Sequence, residues 1–161
     1  MKTFSAKFIL LLLATTCGFA QADDLAPSQK LAELIYGSFE ERPDAGVDIG
    51  EFVHFGQDVF VSMDFDDSGS IDLAEFIKWD FGFNFIATDT GQERAYETAQ
   101  IIIFATWDHD GDGNIAKSEY NKSMVWDFRR ADTNDDALLT REEFLQSYVV
   151  NIAYRAALTG Q

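Results

Sequence analysis

The sequence predicts an all-α chain: an array of four helix-loop-helix units, one of them degenerate, with helices shared between close loop pairs and short β-bridges between paired loops. Three observations predict it. A twelve-residue pattern of oxygen-bearing side chains, closed by Glu, recurs in register. Aromatics frame each copy, four residues before its first position and again at position 13. The copies begin at residues 40, 64, 108 and 132, so the intervals are 24, 44 and 24.

In chain order, residues 1–22 read as a secretory leader. Lys2 and Lys7 make a positive start, Phe8 to Ala14 is an apolar run well short of the ~20 residues that span a bilayer, and Ala20-Gln21-Ala22 offers small residues for cleavage near Ala22. The expected destination is export, periplasmic or secreted. Without those residues the chain keeps all 28 acids and has 10 of its 12 basic residues, a formal charge of −18, and it loses Cys17, its only cysteine. Disulfides are then excluded, and stability must come from other sources, the core first. Charge of this sign and size argues against nucleic acid and anionic membrane surfaces, and it favours cations.

The remaining residues suit a packed chain, since 47% of the sequence is hydrophobic and 14% aromatic. A first helix is expected from an N-cap at Ser28 through Phe39. Within each close loop pair only 12 residues separate one loop from the next, room for one helix, so 52–63 and 120–131 must each leave one loop and enter another. The 76–107 interval is the only one long enough for two helices and a linker. Phe76, Trp79 and Phe83 recur at i, i+3 and i+7 as on one helix face, with breaks expected at Gly82 and 87–91. Thr90-Gly91-Gln92-Glu93 matches a capping box opening a helix that carries Ala95, Ala99, Ile102, Ile103 and Phe104 towards Trp107. A last helix carries Phe144, Leu145, Tyr148, Val149, Ile152 and Leu158. These divisions predict a leader (1–22), a first part holding two units (23–87) and a second holding two more (88–161).

The loops carry the chemistry. The clearest copy, 108–119, has Asp108, Asp110, Asp112, Asn114, Ala116 and Glu119 at positions 1, 3, 5, 7, 9 and 12, with Gly113 at 6 and Ile115 at 8. Loop 64–75 has Asp64, Asp66, Ser68, Ser70, Asp72 and Glu75 in the same places, with Gly69 at 6. Loop 132–143 has Asp132, Asn134, Asp136, Leu138, Thr140 and Glu143, but Ala137 at position 6. Loop 40–51 keeps Val47 at 8 and Glu51 at 12, yet Arg42, Pro43 and Ala45 stand at 3, 4 and 6.

This pattern resembles the EF-hand family. The resemblance implies three Ca²⁺ sites. In loop 108–119 the side chains of Asp108, Asp110 and Asp112, the carbonyl of Asn114, a water at Ala116 and both carboxylate oxygens of Glu119 would hold the ion. Their counterparts would do so in 64–75 and 132–143, with Leu138 offering its carbonyl, and no calcium is expected at 40–51. Calcium should be preferred to Mg²⁺, because a bidentate Glu makes a roomier site than rigid octahedral geometry tolerates.

Spacing also predicts which loops pair. A 12-residue helix holds the loops at its ends roughly 18 Å apart, whereas bridged strands sit about 4.8 Å apart, so sequence neighbours cannot pair. Loop 64–75 should meet 108–119, with Ile71 opposite Ile115, and 40–51 should meet 132–143, with Val47 opposite Leu139.

Enzyme signals dissolve. Residues 111–116 fit the letters of a dinucleotide fingerprint, but no strand leads into them and the surrounding aspartates would repel a pyrophosphate. Glycosidases set two carboxylates at a fixed separation rather than repeating them in loops. His54 and His109 form no H-E-x-x-H, and His109 is expected to be an exposed bystander. The expected function is non-enzymatic: calcium buffering, or a fold that calcium stabilises. The alternative is a sensor that opens an apolar surface to a protein target. The alternating Trp79, Phe81, Phe83 and Phe85 raise the question of such a surface, with core or linker packing the favoured reading. Only Met63 and Met124 follow the leader, which speaks weakly against a Met-rich sensor groove.

Overall fold

The computed structural model describes residues 25–39 and 46–159. The leader and the degenerate loop's Arg42, Pro43 and Ala45 lie outside the described residues. Among those described, eight helices and four short strands follow in the order α1 (Pro27–Ser38), β1 (Val47–Asp48), α2 (Ile49–Met63), β2 (Ser70–Asp72), α3 (Leu73–Lys78), α4 (Phe83–Thr90), α5 (Glu93–Trp107), β3 (Asn114–Ala116), α6 (Lys117–Ala131), β4 (Leu138–Leu139), α7 (Arg141–Ser147) and α8 (Val149–Leu158). No helix among them is long and apolar enough to cross a membrane.

The strands form two antiparallel two-stranded sheets. β1 pairs with β4, placing Val47 opposite Leu139, and β2 pairs with β3, placing Ile71 opposite Ile115, as the spacing predicts. All four of these side chains are fully buried, so each bridge seats one apolar pair in the core. α2 and α6 are the shared helices and pack on each other. A Cβ at Gly56 would stand 3.0 Å from Met124 Cγ and Sδ, so a larger residue at this crossing would make the Met124 side chain give way by a few tenths of an ångström.

The framing aromatics make the core. Tyr36, Phe60, Phe104 and Phe128 on the entering side, and Phe52, Phe76, Tyr120 and Phe144 on the leaving side, are all buried. They meet across the molecule in edge and tilted contacts, with Phe52 on Phe128 at 5.7 Å, Phe60 on Tyr120 at 5.3 Å and Tyr36 on Phe144 at 5.5 Å between ring centroids.

Four helix boundaries differ from expectation, each for a local reason. Pro27, not Ser28, opens α1: its fixed φ and missing N–H suit the first helical position, and Ser28 is buried inside the helix. No single helix carries Phe76, Trp79 and Phe83. Trp79 is extended (ψ 135°), Gly82 takes φ +103°, and the Asp80 carboxylate accepts the N–H groups of Gly82 (2.7 Å) and Asn84 (3.1 Å), which starts α4 afresh. Thr90 closes a helix instead of opening one, because its hydroxyl donates back to the Ile86 carbonyl at 2.7 Å and Gly91 turns left-handed at φ +68°. The last helix is two, broken at Tyr148 (ψ 124°). Asn151 Nδ2 donates to the Phe144 carbonyl, and Arg155 Nη1 to that of Leu145, both at 2.9 Å, satisfying carbonyls the break releases. Ile102 and Ile152, expected on buried faces, are 59% and 41% exposed.

Candidate metal centres in three acidic loops

Each acidic loop begins where a long helix lets go. Asp64, Asp108 and Asp132 still donate their N–H to the carbonyls of Phe60, Phe104 and Phe128 (3.1, 2.9 and 2.9 Å), but their ψ angles of 81°, 88° and 86° leave the helix. From there the three loops are wired alike.

The first-position carboxylate gathers the turn. Asp64, Asp108 and Asp132 each accept through Oδ2 the N–H of position 6, which is Gly69, Gly113 or Ala137, at 2.9 Å every time. Through Oδ1 they accept the N–H of position 5, from Ser68, Asp112 and Asp136, at 2.9, 3.2 and 3.1 Å. That same N–H is shared with the third-position side chain, Asp66, Asp110 or Asn134, at 3.0, 3.1 and 3.0 Å. The bends this requires are left-handed at position 6, with φ +82° at Gly69, +90° at Gly113 and +66° at Ala137. Position 4 is left-handed too, at Asp67 (+58°), Gly111 (+73°) and Asp135 (+60°). The residue types were the signal for this second bend, since Asp tolerates that region better than most side chains.

The closing glutamate fastens the loop's two ends. Through Oε1, Glu75, Glu119 and Glu143 accept the N–H of Phe65 (2.8 Å), His109 (2.7 Å) and Thr133 (2.9 Å) at position 2. Through Oε2 they accept that of Asp72 (3.1 Å), Ala116 (2.8 Å) and Thr140 (3.0 Å) at position 9. Position 9 is also the N-cap of the leaving helix, and Asp72 spends Oδ1 on the Glu75 N–H at 2.8 Å. The degenerate loop repeats this exchange between Asp48 and Glu51 (3.0 and 2.9 Å). Capping therefore accounts for glutamate at position 12 in all four loops without any metal.

Convergence of charge separates the loops. One oxygen each from Asp64, Asp66 and Glu75 lie within 4.8 Å of one another, and so do oxygens of Asp108, Asp110 and Asp112. Loop 132–143 forms no such group, because Asn134 replaces an aspartate and turns its Nδ2 onto Asp136 Oδ2 at 3.1 Å. Of the other predicted positions, Ser68 Oγ donates to the Ser70 carbonyl at 2.9 Å. Asn114 and Leu138 donate their N–H to the Oδ1 atoms of Asp112 (2.8 Å) and Asp136 (2.9 Å).

Among the described residues no cage carboxylate is in an ion pair. The two salt bridges found there join Arg130 to Asp127 and Arg141 to Glu33. In Asp66, Asp110 and Asp112 one oxygen is tied to backbone while Oδ2 has no hydrogen bond. The donor set is oxygen alone, which suits a hard divalent cation such as Ca²⁺.

Hydrogen bonds lower the pKa of two closing carboxyls, Glu119 and Glu143. At Glu119 the Ala116 N–H lowers the pKa most, with His109 and Asp110 adding to it against a smaller opposing effect of burial. At Glu143 burial is the largest single influence and pushes up. The N–H and O–H groups of Thr140 and Thr133 together outweigh it and bring the carboxyl down to about 2. Of those two threonine hydroxyls, at 2.8 and 2.9 Å from Glu143, that of Thr133 escaped the sequence reading and Thr140 entered it only as position 9. His109 is no exposed bystander. Its Nε2 lies 3.0 Å from Ser123 Oγ and its ring stacks on Trp126 at 5.1 Å, packing loop 108–119 against α6.

No family model matches the chain and no curated protein matches it, so what the loops do must be read from their own residues.

Proposed function

We propose that this is an exported calcium-binding protein of the EF-hand kind, holding three Ca²⁺ in loops 64–75, 108–119 and 132–143, and acting as a buffer or as a module whose fold calcium stabilises. One observation carries the reading: two groups of three carboxylates converge within 4.8 Å, and among the described residues none of them is in an ion pair. Carboxylates at that range in contact with water repel by about 1 kcal/mol per pair, which a cation among them would relieve. The third loop enters through its shared wiring, not through convergence. Export rests on the pattern of residues 1–22.

Calorimetric titration of residues 23–161 with Ca²⁺ tests it. Three ions per chain are expected, and Glu119→Gln, which keeps the cap acceptor, should leave two. A stoichiometry of one or four, or no heat at all, overturns the reading.

A second reading, a sensor that offers an apolar surface to a protein, has one observation in its favour. An apolar cavity of about 80 Å³ lies between the helices, lined among others by Phe52, Phe76, Trp107, Tyr120, Phe144 and Tyr148. Calcium-dependent binding of a dye for exposed apolar surface would favour the sensor, and unchanged dye binding the buffer.

A further inference from the structure

Helix α1 belongs to the unit whose loop departs from the pattern at positions 3, 4 and 6, yet it reaches loop 132–143. Tyr36 donates its hydroxyl to the Leu139 carbonyl at 3.1 Å in the buried interior. Glu33 takes the Arg141 guanidinium by two hydrogen bonds, Nε to Oε2 at 2.6 Å and Nη2 to Oε1. Gly46, at φ +79° just before β1, lies so near that a Cβ there would stand 3.2 Å from both the Leu139 oxygen and Leu138 Cβ. Leu138, Leu139 and Arg141 are positions 7, 8 and 10 of the loop, immediately after the strained Ala137.

The other units show that the hydroxyl is particular to this place. At the position of Tyr36 they carry Phe60, Phe104 and Phe128. The two loops that pair with each other, 64–75 and 108–119, thus have phenylalanine on both sides and a carboxylate cluster in each. Loop 132–143 faces a partner with Arg42, Pro43 and Ala45 at positions 3, 4 and 6, and has neither Gly at position 6 nor a converged cluster. A left-handed alanine persists only when its surroundings over-determine the backbone, and α1 supplies fixed points just beyond it.

We propose that Tyr36, assisted by Glu33, is a positioning residue for the cation site of loop 132–143: it fixes the strand bearing the Leu138 carbonyl from a helix outside that loop's own unit. This rests on the calcium reading above and deepens it. The hydroxyl acts on one site, so its loss is felt there and not at the other two.

The test is a residue-resolved Ca²⁺ titration of the chain and its Tyr36→Phe variant, which keeps the ring. Affinity at 132–143 should fall about fivefold, the size expected for one buried hydrogen bond, while 64–75 and 108–119 stay within about twofold. Glu33→Gln, at a more exposed pair, should cost that site about twofold. In chelator, amide exchange at Leu139 should quicken in Tyr36→Phe, a readout that needs no metal. An equal fall at all three sites would make the hydroxyl merely structural and overturn the proposal, as would unchanged affinity at 132–143 in Tyr36→Phe. A wild-type chain that binds Ca²⁺ at no loop sinks the calcium reading and this proposal together, and is told apart by silence at 64–75 and 108–119.

Discussion

Loops 64–75 and 108–119 are each equipped from within; loop 132–143 is equipped from around it. The first two have glycine at the left-handed sixth position and three carboxylates converged on one point. The third has Ala137 in the left-handed region and Asn134 in place of an aspartate, and its closing Glu143 is held by two threonine hydroxyls. Its strand pairs with that of the degenerate unit, which also sends Tyr36 to it. A loop that meets its own geometric demands can tolerate changes elsewhere. One that borrows support should respond to residues far away in sequence.

The largest effect expected from this contrast is on stability. A ligand held only by the native state adds about 2.7 kcal/mol per site at a hundredfold excess over Kd, so three sites add roughly 8 kcal/mol. Binding also takes the formal charge of residues 23–161 from −18 to −12. The melting temperature should therefore climb with calcium between chelator and saturation, and a flat response would break the calcium reading itself. Next in size is coupling. Because β2 pairs with β3, Glu75→Gln should weaken calcium at 108–119 by about tenfold and at 132–143 by less than about twofold. The reverse order in a residue-resolved titration would show that the sheets do not carry the linkage. The smallest effect is at Ala137. A Cβ at the equivalent Gly69 or Gly113 would meet nothing within 4 Å, so the cost of alanine there is backbone strain of about 1 kcal/mol and not a clash. Ala137→Gly should tighten that site by up to about fivefold, partly offset by a looser free loop; no gain would mean that its neighbours have already removed the strain.

What the sequence made legible followed from spacing. Intervals of 24 residues forced shared helices and forbade neighbouring loops to pair, and both sheets formed in the expected register. The framing aromatics fell in the core because helical geometry leaves them no other face. The stretch from Trp79 to Gln92 was misread because two side chains act there against their residue types. Asp80 caps a helix from two residues before the Gly82 cap position, and Thr90 bonds backwards instead of forwards. Within the loops, position lettering named candidate ligands but not the hydrogen bonds they make to the loop's own backbone. Asp48, Asp72 and Thr140 each cap the leaving helix, so the glutamate of the degenerate loop has a structural role that needs no metal. His109 looked idle because its partners, Ser123 and Trp126, lie more than three helical turns further along the chain.

The two sheets are nested, and nesting sets an order of assembly. Ile71 and Ile115 are 44 positions apart, whereas Val47 and Leu139 are 92 apart and enclose them. Closing the outer bridge from an open chain means bringing together the ends of the longer loop. Once the inner bridge exists, only the 24 residues on either side of it remain to be gathered, which roughly halves the loop and lowers its closure cost by about 0.6 kcal/mol. The inner pair is thus the natural nucleus, and the outer bridge with α1 is the part that docks last and frays first. Under a protease or in hydrogen exchange, loop 132–143 should open ahead of the 64–75 and 108–119 pair.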